Sequence, residues 1–164
     1  MFSYRFHGYW KDVGTISSLW ESNMDLLGKD PAFDVGDADW KIHSRNPLAP
    51  PEYIGANALV DNSMVALGCE IDGTVRHSVL ASNVVVEEGA IVKDSVIMSG
   101  CLIKKGAVVE YSILDENVVV EEGAIVGEPK EANAGIAVLG RNITIASGSK
   151  VAGGKIIDKD YKGE

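Results

Sequence analysis

The chain has no apolar run near the roughly 20 residues a membrane-spanning helix needs. Its first ten residues, MFSYRFHGYW, lack the apolar centre of a secretion signal. Cytoplasm is the expected location. There is no Lys/Arg-rich block either: 15 basic against 24 acidic residues leave a formal charge of −9. Binding to a phosphate backbone runs on concentrated positive charge, so nucleic acid is not an expected partner, and neither is a membrane. Only Cys69 and Cys101 carry thiols, too few for a disulfide framework or a four-thiolate zinc site. A GxSxG, a Walker A and a GxGxxG are all missing. What is present is ordinary for a globular chain, with 46% apolar and 24% charged residues. A length of 164 residues suggests one principal domain.

Aromatic residues and prolines run out near residue 53. Nine of the eleven aromatics (Phe2, Tyr4, Phe6, Tyr9, Trp10, Trp20, Phe33, Trp40 and Tyr53) precede Ile54, as do four of the five prolines. Beyond it the chain is rich in Val, Ile, Gly and Ala, so the architecture changes there. Within the first part, Ile16, Leu19, Trp20, Met24 and Leu27 fall on one stripe of an amphipathic helix over 15–27. Thr15 is the expected N-cap and Gly28 the expected stop. Core packing is the expected role of the stripe. Segment 29–53, with its Asp and Pro content, reads as an extended connector along the surface.

The second part repeats. Val84-Val-Val-Glu-Glu-Gly-Ala-Ile-Val92 recurs letter for letter at 118–126, an offset of 34, or twice 17. Rows of six, six and five residues start at Leu80, Ile97 and Leu114, with aliphatic heads at Val86, Ile103 and Val120, then Val92, Val109 and Val126. Ile54, Val60, Val65 and Ile71 head earlier segments; Leu139, Ile145 and Val151 head later ones. The spacing shortens between Ile71 and Val75, where a coil should be pinched, and 127–138 reads as a loop thrown out of the repeat.

Three positions after each six-residue head stand Asn57, Gly68, Asn83, Gly89, Gly100, Gly106, Asn117, Gly123, Asn142, Gly148 and Gly154. Gly and Asn tolerate left-handed backbone most cheaply, so a corner with φ > 0 is expected at each. The next position is usually small or β-branched, as an inward slot beside a tight corner requires, and Cys69 and Cys101 fall in it as inert buried thiols. The five-residue segments align Ser63, Ser78, Ser95 and Ser112 in a column. This pattern describes a triangular parallel β-helix whose coils stack at about 4.8 Å. Glu87-Glu88, Lys104-Lys105 and Glu121-Glu122 then form a ladder of alternating sign, each exposed pair contributing only about 0.2–1 kcal/mol but penalising a slipped register. Hexapeptide acyltransferases and gamma-class carbonic anhydrases share this architecture. Of His7, His43 and His77, only His77 lies within the coils, before Ser78 at a variable corner, and no histidine pair stands at neighbouring-coil spacing.

The stretch Gly8-Tyr-Trp-Lys-Asp-Val-Gly-Thr15, running on to Leu27, closely resembles bacterial glucose-1-phosphate adenylyltransferases, and so do Asn62-Ser63, Gly68-Cys69, Glu70-Ile71-Asp72-Gly73-Thr74-Val75 and Asp94-Ser95-Val96-Ile97-Met98. The resemblance implies a left-handed helix, a hand that spacing alone does not supply. It implies that 1–28 is the end of a nucleotidyltransferase domain, 29–53 a connector, 54–157 a left-handed β-helix and 158–164 a tail. It also implies a parent enzyme of glycogen biosynthesis that joins ATP and glucose 1-phosphate into ADP-glucose and diphosphate with Mg²⁺, with Asp12 as a metal ligand. The nucleotide loop, a second metal aspartate and the sugar-phosphate residues would lie before Phe2. The expectation is therefore a C-terminal fragment, inactive alone, without catalytic or cofactor-binding residues of its own, serving oligomer assembly (a homotetramer in the parent) and allosteric control. Trp10, Trp20 and Ile54 are expected to be short of partners and to drive association. The alternatives are a stand-alone acyltransferase using His77 and a non-catalytic scaffold.

Overall fold

Each coil of the repeat carries three short runs of branched aliphatics separated by tight corners, so each coil builds three strands of two or three residues. In the computed structural model, which describes residues 1–39, 41, 43 and 47–163, these strands stack into three parallel six-stranded sheets. The first face holds Tyr53–Ile54, Glu70–Ile71, Val85–Val86, Leu102–Ile103, Val119–Val120 and Thr144–Ile145. The second holds Leu59–Asp61, Thr74–Arg76, Ile91–Lys93, Val108–Glu110, Ile125–Val126 and Lys150–Val151. The third holds Met64–Val65, Val79–Leu80, Val96–Ile97, Ser112–Leu114, Ala137–Leu139 and Ile156–Ile157. The chain is mainly β, a left-handed parallel β-helix of about 17 residues per coil preceded by one helix.

The head of each segment points inward. Ile71, Val86, Ile103, Val120 and Ile145 from the first face meet Val75, Val92, Val109 and Val126 from the second and Leu80, Ile97, Leu114 and Leu139 from the third, all at most 1% exposed. Burying each such side chain is worth about 1.5–3 kcal/mol. The small slots beside the corners are buried too, apart from the half-buried Ala58.

Ten of the eleven expected corners have positive φ, from 57° at Asn117 to 77° at Gly68. Asn57 does not, although its turn closes with the same bond as the others, Ala58 N–H donating to Gly55 O. The variable corner that holds His77 is a second left-handed column, a conformation the sequence did not announce: Asn62, His77, Asp94 and Tyr111, at φ of 42–49°, turn the corner between the second and third faces. The serine after each residue explains why non-glycine residues hold this strained region. Ser78 Oγ donates to Arg76 O and accepts Ser95 N–H at 3.1 Å; Ser95 Oγ does the same for Lys93 O and Ser112 N–H. A ladder of hydroxyls thus closes the corners of this column.

Two coils depart from the period. The pinch between Ile71 and Val75 is a two-residue corner, Asp72-Gly73. In the fifth coil the chain leaves the prism after Val126, makes a 3₁₀ turn at Lys130–Ala132 and returns. The insertion closes at Ile136, two residues earlier than the sequence reading, because Ala137 and Val138 pair with Ser112 and Ile113. The prism's ends differ. The last coil is covered by the tail: Tyr161 bridges Ile145, its N–H donates to Thr144 O at 2.9 Å, and Asp160 accepts Thr144 N–H. The first coil is open, with Ile54 43% and Val60 37% exposed.

The helix, Ile16–Met24, is capped as expected: Thr15 Oγ1 accepts Ser18 N–H and Ser18 Oγ accepts Thr15 N–H. It ends earlier than the apolar stripe. Leu26 and Leu27 close on Asn23 and Met24 in tighter three-residue turns, so Gly28, at φ +99°, lies beyond a short 3₁₀-like tail. Trp20 and Met24 are buried against the outward Val96, Ile113 and Val138 of the third face, with Ile136 from the insertion. Ile16, assigned to the stripe, is 40% exposed. Trp20 is 4% exposed, so the helix and insertion already cover it, contrary to the expectation that it lacks partners; Trp10 is 76% exposed. Pro50 accepts Gly68 N–H at 2.7 Å and anchors the end of the connector. Trp40, Ile42, 44–46 and Glu164 lie outside the described residues.

Candidate functional site

Asp12, the expected metal ligand, sits in an exposed turn before the helix, where its Oδ1 accepts Gly14 N–H at 3.1 Å. The neighbouring residues tie this turn to the helix. Lys11 Nζ reaches Asp25 at 2.7 Å and Glu21 at 3.4 Å, and Tyr9 OH donates to Asp25 at 3.0 Å. The Lys11 ammonium bond holds the Asp25 carboxyl below the usual carboxylate range, and the same bond raises Lys11. Among the described residues no cluster of three or more His, Cys, Asp or Glu could hold a metal ion. One carboxylate engaged by a backbone amide does not make a Mg²⁺ site, so the described residues do not by themselves fit the cation.

The helix brings its indole to the left-handed corner column. Trp20 Nε1 donates to Asp94 O at 2.7 Å. The ring stands edge-on to Tyr111, centroids 5.1 Å apart, and to His77 at 6.3 Å. Lys130 Nζ from the insertion lies 4.5 Å over the same indole, a cation–π contact of about 0.5–1 kcal/mol where exposed. Beside it Tyr111, Lys130, Glu131, Asn133 and Gly135 line an open cleft of about 570 Å³. Sequence reasoning aligned His77, Asp94 and Tyr111 at one corner of successive coils but did not bring Trp20 or Lys130 to them. The one available signal was that the corner letter before each serine is never glycine.

His77 Nδ1 meets Asp94 Oδ1 at 2.6 Å, one coil above it. A His–Asp pair invites a nucleophile, but the adjacent hydroxyl is committed: Ser78 is fully buried and its Oγ serves Arg76 O and Ser95 N–H. The pair stitches neighbouring corners rather than activating a serine. The cysteines are equally quiet. Burial raises the Cys69 thiol and pushes Cys101 up to about 11, and both sulfurs donate to backbone carbonyls, of Ala81 and Asp115. The charge ladder forms in part: Lys104 binds Glu121 at 2.9 Å and Lys105 binds Glu88 at 3.2 Å, whereas Glu87 accepts the backbone N–H of Lys105. No described helix is long and apolar enough to cross a membrane.

Left-handed coils with Gly/Asn corners and small inward slots define a hexapeptide-repeat β-helix protein. A profile of the "GlmU-like, C-terminal hexapeptide" family matches residues 52–137, just over half of the chain, and the chain belongs to that family. It is also 54% identical over 95 residues to the glucose-1-phosphate adenylyltransferase of Clostridium botulinum (strain Eklund 17B / Type B), and equally so to that of strain Alaska E43 / Type E3. Each match covers 58% of this chain and 25% of the relative, so the chain aligns with about a quarter of the length of these relatives. The β-solenoid matches a C-terminal region of glucose-1-phosphate adenylyltransferase.

Proposed function

We propose that this chain is the regulatory and assembly portion of a cytoplasmic glucose-1-phosphate adenylyltransferase of glycogen biosynthesis. In this reading 29–53 connects the β-helix to residues 1–28, which close the nucleotidyltransferase domain. The observation that carries the reading is the 54% identity over 95 residues, which favours it over the acyltransferase alternative; the assay on the complete enzyme separates it from a non-catalytic scaffold. Helix Ile16–Met24 supports it, because it is glued to the third face on one side and braced to the Asp12 turn by Lys11 on the other. Such a helix can transmit a change in the prism to the turn.

The parent enzyme would join ATP and glucose 1-phosphate into ADP-glucose and diphosphate, and Mg²⁺ would supply charge stabilisation on phosphate oxygens. Asp12 would contribute one ligand, the rest coming from elsewhere in the parent. A single carboxylate cannot hold two phosphorylated substrates and a cation, so the 164-residue chain should not turn over. The parent is expected to assemble as a homotetramer. The test is an ADP-glucose assay on the complete enzyme and on this chain. The complete enzyme should be active, Asp12→Asn should cut kcat severely with folding retained, and the chain alone should read blank. Turnover by the chain alone, or an unchanged kcat in the variant, overturns the reading of Asp12. A complete enzyme that makes no ADP-glucose overturns the parent activity.

A further inference from the structure

The last coil of the prism has one face whose polar groups go unanswered. In the parallel stack the first residue of each strand donates its N–H to a carbonyl of the next coil. On the first face Leu102 donates to Val118 O and Val119 to Ile143 O. Above Thr144–Ile145 the tail replaces the missing coil: Asp160 Oδ1 accepts Thr144 N–H at 2.9 Å, and Tyr161 O accepts Ala146 N–H at 2.8 Å. A carboxylate oxygen stands there in place of a carbonyl. On the second face Ile125 and Gly127 donate to Ser149 O at 2.8 Å and Val151 O at 2.9 Å. Among the described residues no coil stands above Lys150 and Ala152 to accept theirs.

Beside these amides lies a buried hydroxyl. The inward slot at this corner holds Ala90, Ala107 and Ala124 in the coils below, but Ser149 in the last. Ser149 is only 7% exposed. The other buried serines, Ser78, Ser95 and Ser112, each donate to a carbonyl; Ser149 Oγ has no hydrogen-bond partner among the described residues. It opens into a cleft of about 440 Å³ between the corner 147–150 and the tail residues Tyr161, Lys162 and Gly163. Gly163, at φ +82°, roofs the hydroxyl, since a Cβ built there would stand 3.5 Å from Ser149 Oγ. Lys150 and Lys162 are exposed, and neither forms an ion pair among the described residues.

We propose that this cleft binds a phosphate-type oxyanion, either inorganic or carried on an ester. One oxygen takes Lys150 N–H, as Asp160 takes Thr144 N–H, and a second accepts from Ser149 Oγ. The ammonium groups of Lys150 and Lys162, on flexible stems, close on the remaining oxygens. Two unpaired cations match a doubly charged ligand, whereas a single carboxylate suffices on the first face. Ser147 adds nothing, because its Oγ is committed to Glu122 O at 2.8 Å. Glu122 stands at the same corner one coil below, so its carboxylate opposes the anion and both lysines are needed to outweigh it. The site is separate from the Asp12 turn and from the cleft at Tyr111, and it stands whether or not the activity proposed above does.

The test is a titration of the 164-residue chain with sodium phosphate, at about pH 8 where the ion is doubly charged. Sodium chloride holds the ionic strength constant, and amide ¹H–¹⁵N shifts report binding. Ser149, Lys150 and Gly163 should shift together and saturate with a dissociation constant on the order of 1 mM. Ser149→Ala, which restores the residue of the coils below, and Lys162→Gln should each weaken binding at least about fivefold. Lys105→Gln, two coils down the same corner, should leave it within about twofold. Circular dichroism melts check folding. Glycerol phosphate separates the two sources: equal affinity assigns the site to a phosphate ester, exclusion assigns it to inorganic phosphate, and either supports the site. Acetate that binds as tightly as phosphate overturns the doubly charged ligand. Shifts that never saturate, that spread evenly over the surface lysines, or that persist unchanged in either weakened variant overturn the site itself.

Discussion

Substituting Gly106 separates the conformational demand of a corner from every packing effect. The residue has φ +67°, and a Cβ built on it meets no atom within 4 Å beyond its chain neighbours. An added side chain therefore meets open space, and the cost is that of the left-handed backbone, about 1–2 kcal/mol for an ordinary residue, greater for a β-branched one. Asparagine should escape most of it, because Asn83, Asn117 and Asn142 hold φ of 57–61° at corners of the same prism. A loss of 1 kcal/mol lowers Tm by about 2–4 °C in a chain of this size. Gly106→Ala should thus melt about 2–8 °C lower, Gly106→Val further down still, and Gly106→Asn close to wild type. Thermal melts by circular dichroism decide it, run at one protein concentration because association adds apparent stability. Gly127→Ala supplies the contrast: at φ +81° its Cβ would also meet the Glu110 carbonyl and Ser112 Oγ, so its loss should exceed that of Gly106→Ala. If alanine is the mildest change at 106, the glycine is there for its size and the conformational argument is wrong.

Ser95→Ala should cost about 1–3 kcal/mol, because it strips the buried Ser112 N–H of its acceptor; a variant that melts like wild type would remove the hydroxyl ladder from the account. Trp20→Phe keeps a ring on the third face but leaves Asp94 O without its indole donor, so about 1 kcal/mol should be lost, with faster amide exchange in Ile16–Met24; unchanged exchange would detach the helix from that bond. In the native chain both thiols should resist maleimide and react on unfolding, and fast native labelling would contradict their burial. Burial raises Cys101 to about 11, and a raised folded pKa gives stability that is present below the unfolded value and fades as pH rises. The unfolded thiol ionises first, near 8.5, so stability should decline between there and about 11, more steeply than in Cys101→Ala, which fills the slot as Ala107 and Ala124 do in neighbouring coils; matching alkaline profiles would refute the assignment.

Most of the prism was readable because a coil states its instructions locally. Gly or Asn at the turn, a small residue after it and an aliphatic head all lie within six letters, and stacking repeats them. The exceptions arose where the repetition stops. Asn57, in the first coil, bears the corner letter but not the conformation. The insertion returned at Ala137 rather than after 138 because pairing with Ser112 reached further than the repeat pattern suggested. The column Asn62, His77, Asp94 and Tyr111 carries four different letters, and its shared conformation is imposed by the serines behind it.

The local pattern determined the coil length, the inward slots, the buried cysteines, the serine column and the alternating charges. It could not say which outer face is covered, or by what. Trp20 finds Asp94 across 74 residues, and Lys130 arrives at the same indole from an insertion outside the repeat. Those meetings depend on how many coils separate the partners in height and which corner each stands on. That information accumulates over the whole stack and is written in no single segment, so only the tertiary structure decided it.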